Sequence, residues 1–299
     1  MKEFEIVCRD NYRLYGAISL PNKDFKYIIY LIHGMCEHKE RYYDFMEYLS
    51  SRGFAALICD LRGHGYHEEK EKLGYFGDKN ALVDDVTEVI SYIKREYKDK
   101  KIILFGHSMG SLITRNYIQN NDNEIEKVIL CGPPTINRFA VVGTLLSTLI
   151  GSFKGEYYRS KFIYNLSLGN YNKGFKEKNE WLVSDKEVLN EYNKDEYCGF
   201  IFTTNGFISL FYMLRNAYKD KYKVHNKNMP ILLITGTNDK VVGTKKKFEH
   251  LFKFLIKEGY NTVETEEYEG LRHELLNEHG KEKVYERVTT FIRGNRKEE

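Results

Sequence analysis

Residues 101–118, KIILFGHSMGSLITRNYI, constrain the fold more than any other stretch of this chain. Ile102 to Phe105 form a continuous apolar run, which is how a strand buried on both faces reads. Gly106-His107-Ser108-Met109-Gly110 follows without a spacer, and Leu112, Ile113 and Tyr117 then recur at helical spacing. Strand, tight G-x-S-x-G turn and helix together read as a nucleophile elbow. Such a turn strains the serine backbone and lifts its hydroxyl clear of the sheet. It also leaves the Met109 N–H at the head of a helix, where a developing anion is stabilised. Ser108 is the expected nucleophile and Met109 one expected oxyanion donor.

A strand buried on both faces needs helices on both sides of a parallel sheet, and the rest of the chain has that rhythm. The pattern predicts strands over residues 3–8, 13–20, 27–32, 54–59, 127–130, 231–235 and 262–268. It predicts helices over 40–52, 80–97, 245–257 and 281–293. From Pro133 to about Asn228 the alternation stops, and aromatics and helical patterns take over. The expected organisation is an α/β core of residues 1–132 and 229–299, with a mostly parallel central sheet flanked by helices. A helical lid insertion, residues 133–228, interrupts it. The tail RGNRKEE is expected to fray.

A serine hydroxyl attacks only when a base takes its proton and an acid orients that base. In chain order Ser, acid, His, the acid falls on Asp239 in ITGTNDKVV, just after a buried strand. The base falls on His273 in EGLRHELLNE, a short loop after the last strand, while His279 is expected at the final helix, facing solvent. The second oxyanion donor should come from the loop after the third strand. His33-Gly34-Met35 is that loop, so the Met35 N–H is the expected donor and His33 a buried residue that shapes the loop. Other chemistries find little support. His273-Glu274-x-x-Asn277 lacks the second histidine of a zinc-protease helix, Gly63-His64-Gly65 is no dinucleotide fingerprint, and no P-loop is present. No metal or cofactor is therefore expected. A net charge of +3 is too mild to suggest nucleic acid.

Taken together, these segments resemble the monoacylglycerol lipases and bacterial lysophospholipases, also called the serine aminopeptidase (S33-type) α/β-hydrolases. HGMCEH followed by Arg41-Tyr42 resembles their H-G-x-x-E-H-x-x-R-Y oxyanion segment, and DLRGHG (Asp60–Gly65) their D-x-R-G-H-G segment. GHSMGS, GTNDKVV and LRHELLNE resemble the triad segments, and Ser184–Glu187 and Tyr197–Phe200 resemble lid segments of bacterial members. The resemblance implies an α/β-hydrolase fold, serine hydrolysis of a monoacylglycerol or lysophospholipid ester through an acyl-enzyme, and a lid that forms the acyl pocket. One departure is Tyr66-His67 after DLRGHG, where members usually carry a small or polar residue and then serine.

Two readings concern the substrate side. The run Phe139–Phe153 has no charge and is too short to span a bilayer, so it reads as a lid helix that could line an acyl channel or touch lipid. Phe139, Leu145, Leu146 and Phe207 are the substrate-binding candidates, within a lid also rich in Phe200, Phe202, Phe211 and Tyr212. Between Cys131 and Lys227 there are 14 Lys or Arg against 9 Asp or Glu, a net +5 beside that apolar run. Lys154, Arg159 and Lys161 are the nearest cations, and such a face suits an anionic membrane surface. Five scattered cysteines without C-x-x-C spacing, and an N-terminus without an apolar h-region, predict a cytoplasmic protein, peripheral at the membrane if it touches one. Two alternatives stay open: a soluble short-chain carboxylesterase or thioesterase, and a non-catalytic ligand-binding protein on the same fold.

Overall fold

The computed structural model describes residues 1–137 and 139–294 of the chain. The chain begins with two antiparallel strands, β1 (Lys2–Val7) and β2 (Arg13–Ser19), followed by β3 (Tyr27–Ile32). After β3, a 3₁₀ turn over Lys39–Tyr42 leads into helix α1 (Tyr43–Ser51), so the predicted helix over 40–52 divides in two. Then come β4 (Ala55–Cys59), α2 (Ala81–Glu96), β5 (Lys101–His107), α3 (Met109–Asn121) and β6 (Lys127–Cys131). Among the described residues four helices follow before the chain rejoins the sheet: α4 (Phe139–Lys154), α5 (Lys161–Ser167), α6 (Lys186–Lys194) and α7 (Thr204–Asn216). The chain ends with β7 (Ile231–Gly236), α8 (Lys245–Glu258), β8 (Val263–Tyr268) and α9 (Glu282–Arg293). The tail expected to fray runs, beyond Gly294, outside the described residues.

The eight strands form one sheet in the order β1-β2-β4-β3-β5-β6-β7-β8. Pairing is antiparallel for β1/β2 and β2/β4 and parallel from β4 to β8. Strand β5 lies at the centre and shows why its sequence is apolar at every position. Ile102 and Leu104 point to a core packed with α2, α3 and α8, and Ile103 and Phe105 to a core packed with α1 and α9. Period-2 alternation thus feeds two cores, one on each face. The edge strand β8 reads VETEEY instead, and its Glu264 and Glu266 pair with Arg287 of α9. Charge on an exposed edge discourages pairing with another chain.

The parallel order places the C-terminal ends of β3, β5, β7 and β8 along one rim of the sheet, which is where the chain's polar loops converge.

Candidate active site

The turn after β5 fits the expected elbow. Ser108 caps α3 with φ 50° and ψ −117°, a backbone that a non-glycine residue adopts only under strain. Its N–H is held by the Cys131 carbonyl at 2.9 Å. Gly110 is there because α3 presses on β3: a Cβ at this position would stand 2.0 Å from the Ile32 carbonyl oxygen.

The structure brings the three expected side chains together. His273 Nε2 lies 2.8 Å from Ser108 Oγ, and His273 Nδ1 lies 2.9 Å from Asp239 Oδ2. Asp239 follows β7, and its other oxygen accepts the Val241 and Val242 N–H groups at 2.7 and 3.1 Å. Three donors besides the solvent-free imidazole, the third being the Thr235 hydroxyl at 3.3 Å, fix this carboxylate. Burial works against its charge, but the His273 charge and hydrogen bonds outweigh it and hold the pKa below the usual carboxylate value. The same pairing acts on His273. Burial disfavours the imidazolium, yet Asp239 beside it lifts the pKa above the ordinary histidine value. His107 packs its ring 4.8 Å from that of His273. Burial first, and then the His273 charge, push its own pKa down to about 3, so it stays neutral beside the pair. His279 lies before α9 rather than in it, is exposed, and faces Asp185 at 3.2 Å.

Met35 and Met109 both line the cleft that opens over Ser108. The loop that carries Met35 is held from below by His33, fully buried as expected. His33 Nε2 accepts the Leu61 N–H at 2.9 Å, which leaves Nδ1 to donate to the Gly34 carbonyl at 2.8 Å. Burial and nearby His64 keep His33 neutral, with its pKa far below the ordinary value. The DLRGHG segment therefore contributes a backbone N–H that selects the His33 tautomer.

The cleft has an empty volume of about 920 Å³, part of it open to solvent. One wall is apolar, formed by Leu112, Pro134, Leu168, Leu210, Phe211 and Leu214. Tyr171, Asn179, Trp181 and Tyr192 add aromatic and polar groups to the lining. The four substrate-binding candidates fall elsewhere. Phe139 and Leu145 are exposed at 64% and 61%, Leu146 is half-buried, and Phe207 is fully buried, stacked on Phe211 and tilted against Phe202; none of the four lines the cleft. The reason lies in α4. It turns its small residues Ala140, Gly143 and Ser147 to α7, so its large apolar residues point outward. The α7 residues Leu210, Phe211 and Leu214 take the expected place, and only a helical phase, not composition, could have singled them out.

Sequence reasoning also missed a buried ionic group at the rim. Arg41 forms a fork with Glu274 at 2.8 and 2.5 Å and reaches Glu37 at 3.2 Å. The Arg41 fork outweighs burial and keeps the Glu274 pKa below the usual carboxylate value. The available signal was that Glu37, Arg41 and Glu274 all fall inside the motif segments HGMCEH, Arg41-Tyr42 and LRHELLNE, whose pairing no local pattern shows. Among the described residues His38, Asp195 and Cys198 also lie close enough to share an ion. There, however, His38 is already satisfied by Glu40 at 2.8 Å and Asp195 at 2.9 Å.

Comparison with known proteins agrees with this architecture. The family described as "Serine aminopeptidase, S33" matches residues 23–280. A monoglyceride lipase homolog of Monkeypox virus is 27% identical over 288 residues, covering 95% of each chain. A probable lysophospholipase of Haemophilus influenzae is 24% identical over 237 residues, covering 77% of this chain and 74% of the other. Human monoglyceride lipase is 24% identical over 280 residues, covering 91% and 84%. Among solved structures, a highly thermostable carboxyl esterase from Bacillus coagulans in complex with glycerol superposes with a TM-score of 0.88 at 24% identity, covering 98% of both chains. A soluble variant of monoglyceride lipase from Saccharomyces cerevisiae, in complex with a substrate analog, gives a TM-score of 0.74 at 18% identity, covering 94% and 91%. The fold is that of the α/β-hydrolases.

Proposed function

Since the chain belongs to the serine aminopeptidase S33 family of hydrolases, we propose that it cleaves carboxylic esters of lipid-like substrates, monoacylglycerol or lysophospholipid, through an acyl-enzyme. The observation that carries this reading is the hydrogen-bonded line Ser108–His273–Asp239, of which Ser108 and His273 line a cleft with one apolar wall. His273 Nε2 takes the Ser108 proton as Oγ attacks the ester carbonyl, and Asp239 steadies the imidazolium that forms. The Met35 and Met109 N–H groups receive the oxyanion. The tetrahedral intermediate collapses, and the alcohol departs with the proton from His273. Water, deprotonated by His273 in turn, attacks the acyl-enzyme and releases the fatty acid. The wall formed by Leu112, Leu210, Phe211 and Leu214 receives the acyl chain by burying its methylenes, each worth about 0.8 kcal/mol. The four inserted helices, residues 133–228, act as its lid.

The outer face of α4 supports a second element of the reading, contact with a membrane surface. Phe139, Val142, Leu145, Leu149 and Phe153 follow one another at spacings of three and four and are all exposed, Phe153 at 85%. Among the described residues no helix is long and apolar enough to cross a membrane. An exposed apolar stripe on a helix flanked by cations is suited to lie in the headgroup region instead. All five cysteines are free and buried, in keeping with a cytoplasmic setting for that contact.

The test is a panel of monoacylglycerols, lysophospholipids and p-nitrophenyl esters of graded chain length, together with fluorophosphonate labelling. Long-chain glycerol or lysophospholipid esters should be preferred, and Ser108→Ala should abolish both turnover and labelling. Preference for short acyl chains would assign a soluble carboxylesterase or thioesterase instead. Normal turnover by pure Ser108→Ala protein would refute the mechanism.

A further inference from the structure

The two peptides that flank Gly34, the second of which presents the Met35 N–H, are each held by a side chain, and one of the two holders has no part in the chemistry above. His33 holds the Gly34 carbonyl. Glu37 holds the Gly34 N–H: its Oε1 accepts that group at 2.5 Å and the Tyr42 hydroxyl at 2.9 Å. Glu37 Oε2 accepts from Arg41 at 3.2 Å. The side chain is 3% exposed, and each of its protein contacts is with a donor, so the carboxylate serves as an acceptor throughout. Arg41 is itself fixed, by its fork on Glu274 and by lying 4.7 Å over the Tyr192 ring. Glu274 directly follows His273 in the chain. One arginine therefore ties the segment bearing the oxyanion donor to the segment bearing the base.

The consequence follows from peptide geometry. In a trans peptide the C=O and the N–H point in opposite directions. Holding the Gly34 oxygen on His33 therefore sends the Met35 N–H the other way, and Met35 lines the cleft. A glycine at the pivot leaves both adjoining peptides free to swing. His33 restrains the peptide after Gly34, and Glu37 restrains the one before it. A donor that has to reorient as charge develops stabilises an oxyanion less than one already aimed. We propose that Glu37, anchored by Arg41, is a positioning residue for oxyanion stabilisation: by fixing the peptide before Gly34 it limits the swing of the next one and so the direction of the Met35 N–H. The proposal rests on the serine-hydrolase reading above.

Two conservative variants separate this role from a simple ion pair. Glu37→Gln keeps an oxygen for the Gly34 N–H but gives up the charge facing Arg41. Glu37→Asp keeps the charge but withdraws the carboxylate from the N–H by one methylene. Each is measured in the full chain with a soluble p-nitrophenyl ester, per active site titrated with fluorophosphonate. Each is also inhibited with an alkyl trifluoromethyl ketone, whose adduct with Ser108 carries an oxyanion. Glu37→Asp should lose about tenfold or more in kcat, with KM within about twofold, and the ketone Ki should rise in parallel; Glu37→Gln, which keeps the acceptor for the Gly34 N–H and loses only the Arg41 anchor, should lose clearly less in both. The opposite order, equal effects, or a loss confined to KM would make Glu37 a structural ion-pair residue and overturn the proposal. A wild-type chain that fails to label at Ser108 would instead overturn the hydrolase reading itself, so the two failures are distinct.

Discussion

At the scale of single residues, the proposed mechanism makes activity depend on the protonation of His273. Its folded pKa lies above the ordinary 6.5, because Asp239 outweighs the burial that would lower it. In that mechanism His273 must be neutral to accept the Ser108 proton, so kcat/KM should rise with pH and reach half its plateau above pH 6.5. Asp239→Asn removes the charge that raises this pKa and the acceptor that selects the tautomer. Its kcat should fall about 10⁴-fold, as in a comparable serine-protease change, and the acid limb should move to lower pH. A pH–rate profile of both proteins checks the two effects together; an unmoved limb would detach Asp239 from His273. Met35→Ala should be tolerated, because the proposed donor is a backbone N–H. Met35→Pro deletes that N–H and should cost about 3 kcal/mol of transition-state stabilisation, read as kcat on protein shown to be folded by circular dichroism.

At the scale of elements, the seam between α6 and the loop after β3 carries a clasp that departs from the family pattern. Tyr66, the unexpected residue after DLRGHG, donates its hydroxyl to Asp195 at 2.8 Å, and His38 Nε2 reaches the same oxygen at 2.9 Å. His38 is nearly buried between Asp195 and Glu40. Burial opposes its charge, but the two carboxylates win and raise its pKa above 6.5. A histidine whose folded pKa is raised contributes stability that is fully present below the unfolded value and is lost as pH rises through the folded value. The gap in urea midpoint between wild type and His38→Gln should therefore be widest near about pH 6 and should narrow toward about pH 9. A gap independent of pH would show that His38 is held neutral. Arg159, which composition alone offered as a surface cation, closes a neighbouring seam between the loop after β4 and the segment before α7: it donates to the carbonyls of Ile201, Lys70 and Glu71 at 2.5, 3.1 and 3.1 Å.

At the scale of the molecule, charge is unevenly divided: residues 132–227 carry +5 and the remainder −2. Lys154 and Lys161 are exposed beside the apolar stripe of α4, whereas Arg159 is engaged in packing. Each cation close to an anionic surface contributes ~1 kcal/mol. The chain should sediment with anionic vesicles more than with zwitterionic ones, and about 0.5 M salt should remove the difference by screening. Lys154→Glu with Lys161→Glu should weaken that binding and spare hydrolysis of a soluble short-chain ester; Arg159 is left intact because its reversal would break the seam. Equal sedimentation with both vesicle types at low salt would leave the stripe without a membrane role.

The division between sequence and structure follows the range of the interactions involved. Local patterning by itself determined the α/β alternation, the turn at Ser108 and the loops bearing Asp239, His273 and Met35, because burial on both faces of β5 dictates an unbroken apolar run and a tight turn dictates glycine. The comparisons establish the family, and the distances bring the three side chains together, while their catalytic roles await the variants above. Only the tertiary structure decided which apolar residues face the cleft. Phe139, Leu145, Leu146 and Phe207 have the composition of an acyl pocket, but Ala140, Gly143 and Ser147 admit α7 so closely that α4 must turn its large side chains outward. Likewise nothing local pairs Arg41 with Glu274, 233 residues away, or Tyr66 with Asp195, 129 away. A helix face or an ion pair is chosen by what packs against it, and that partner comes from a distant part of the chain.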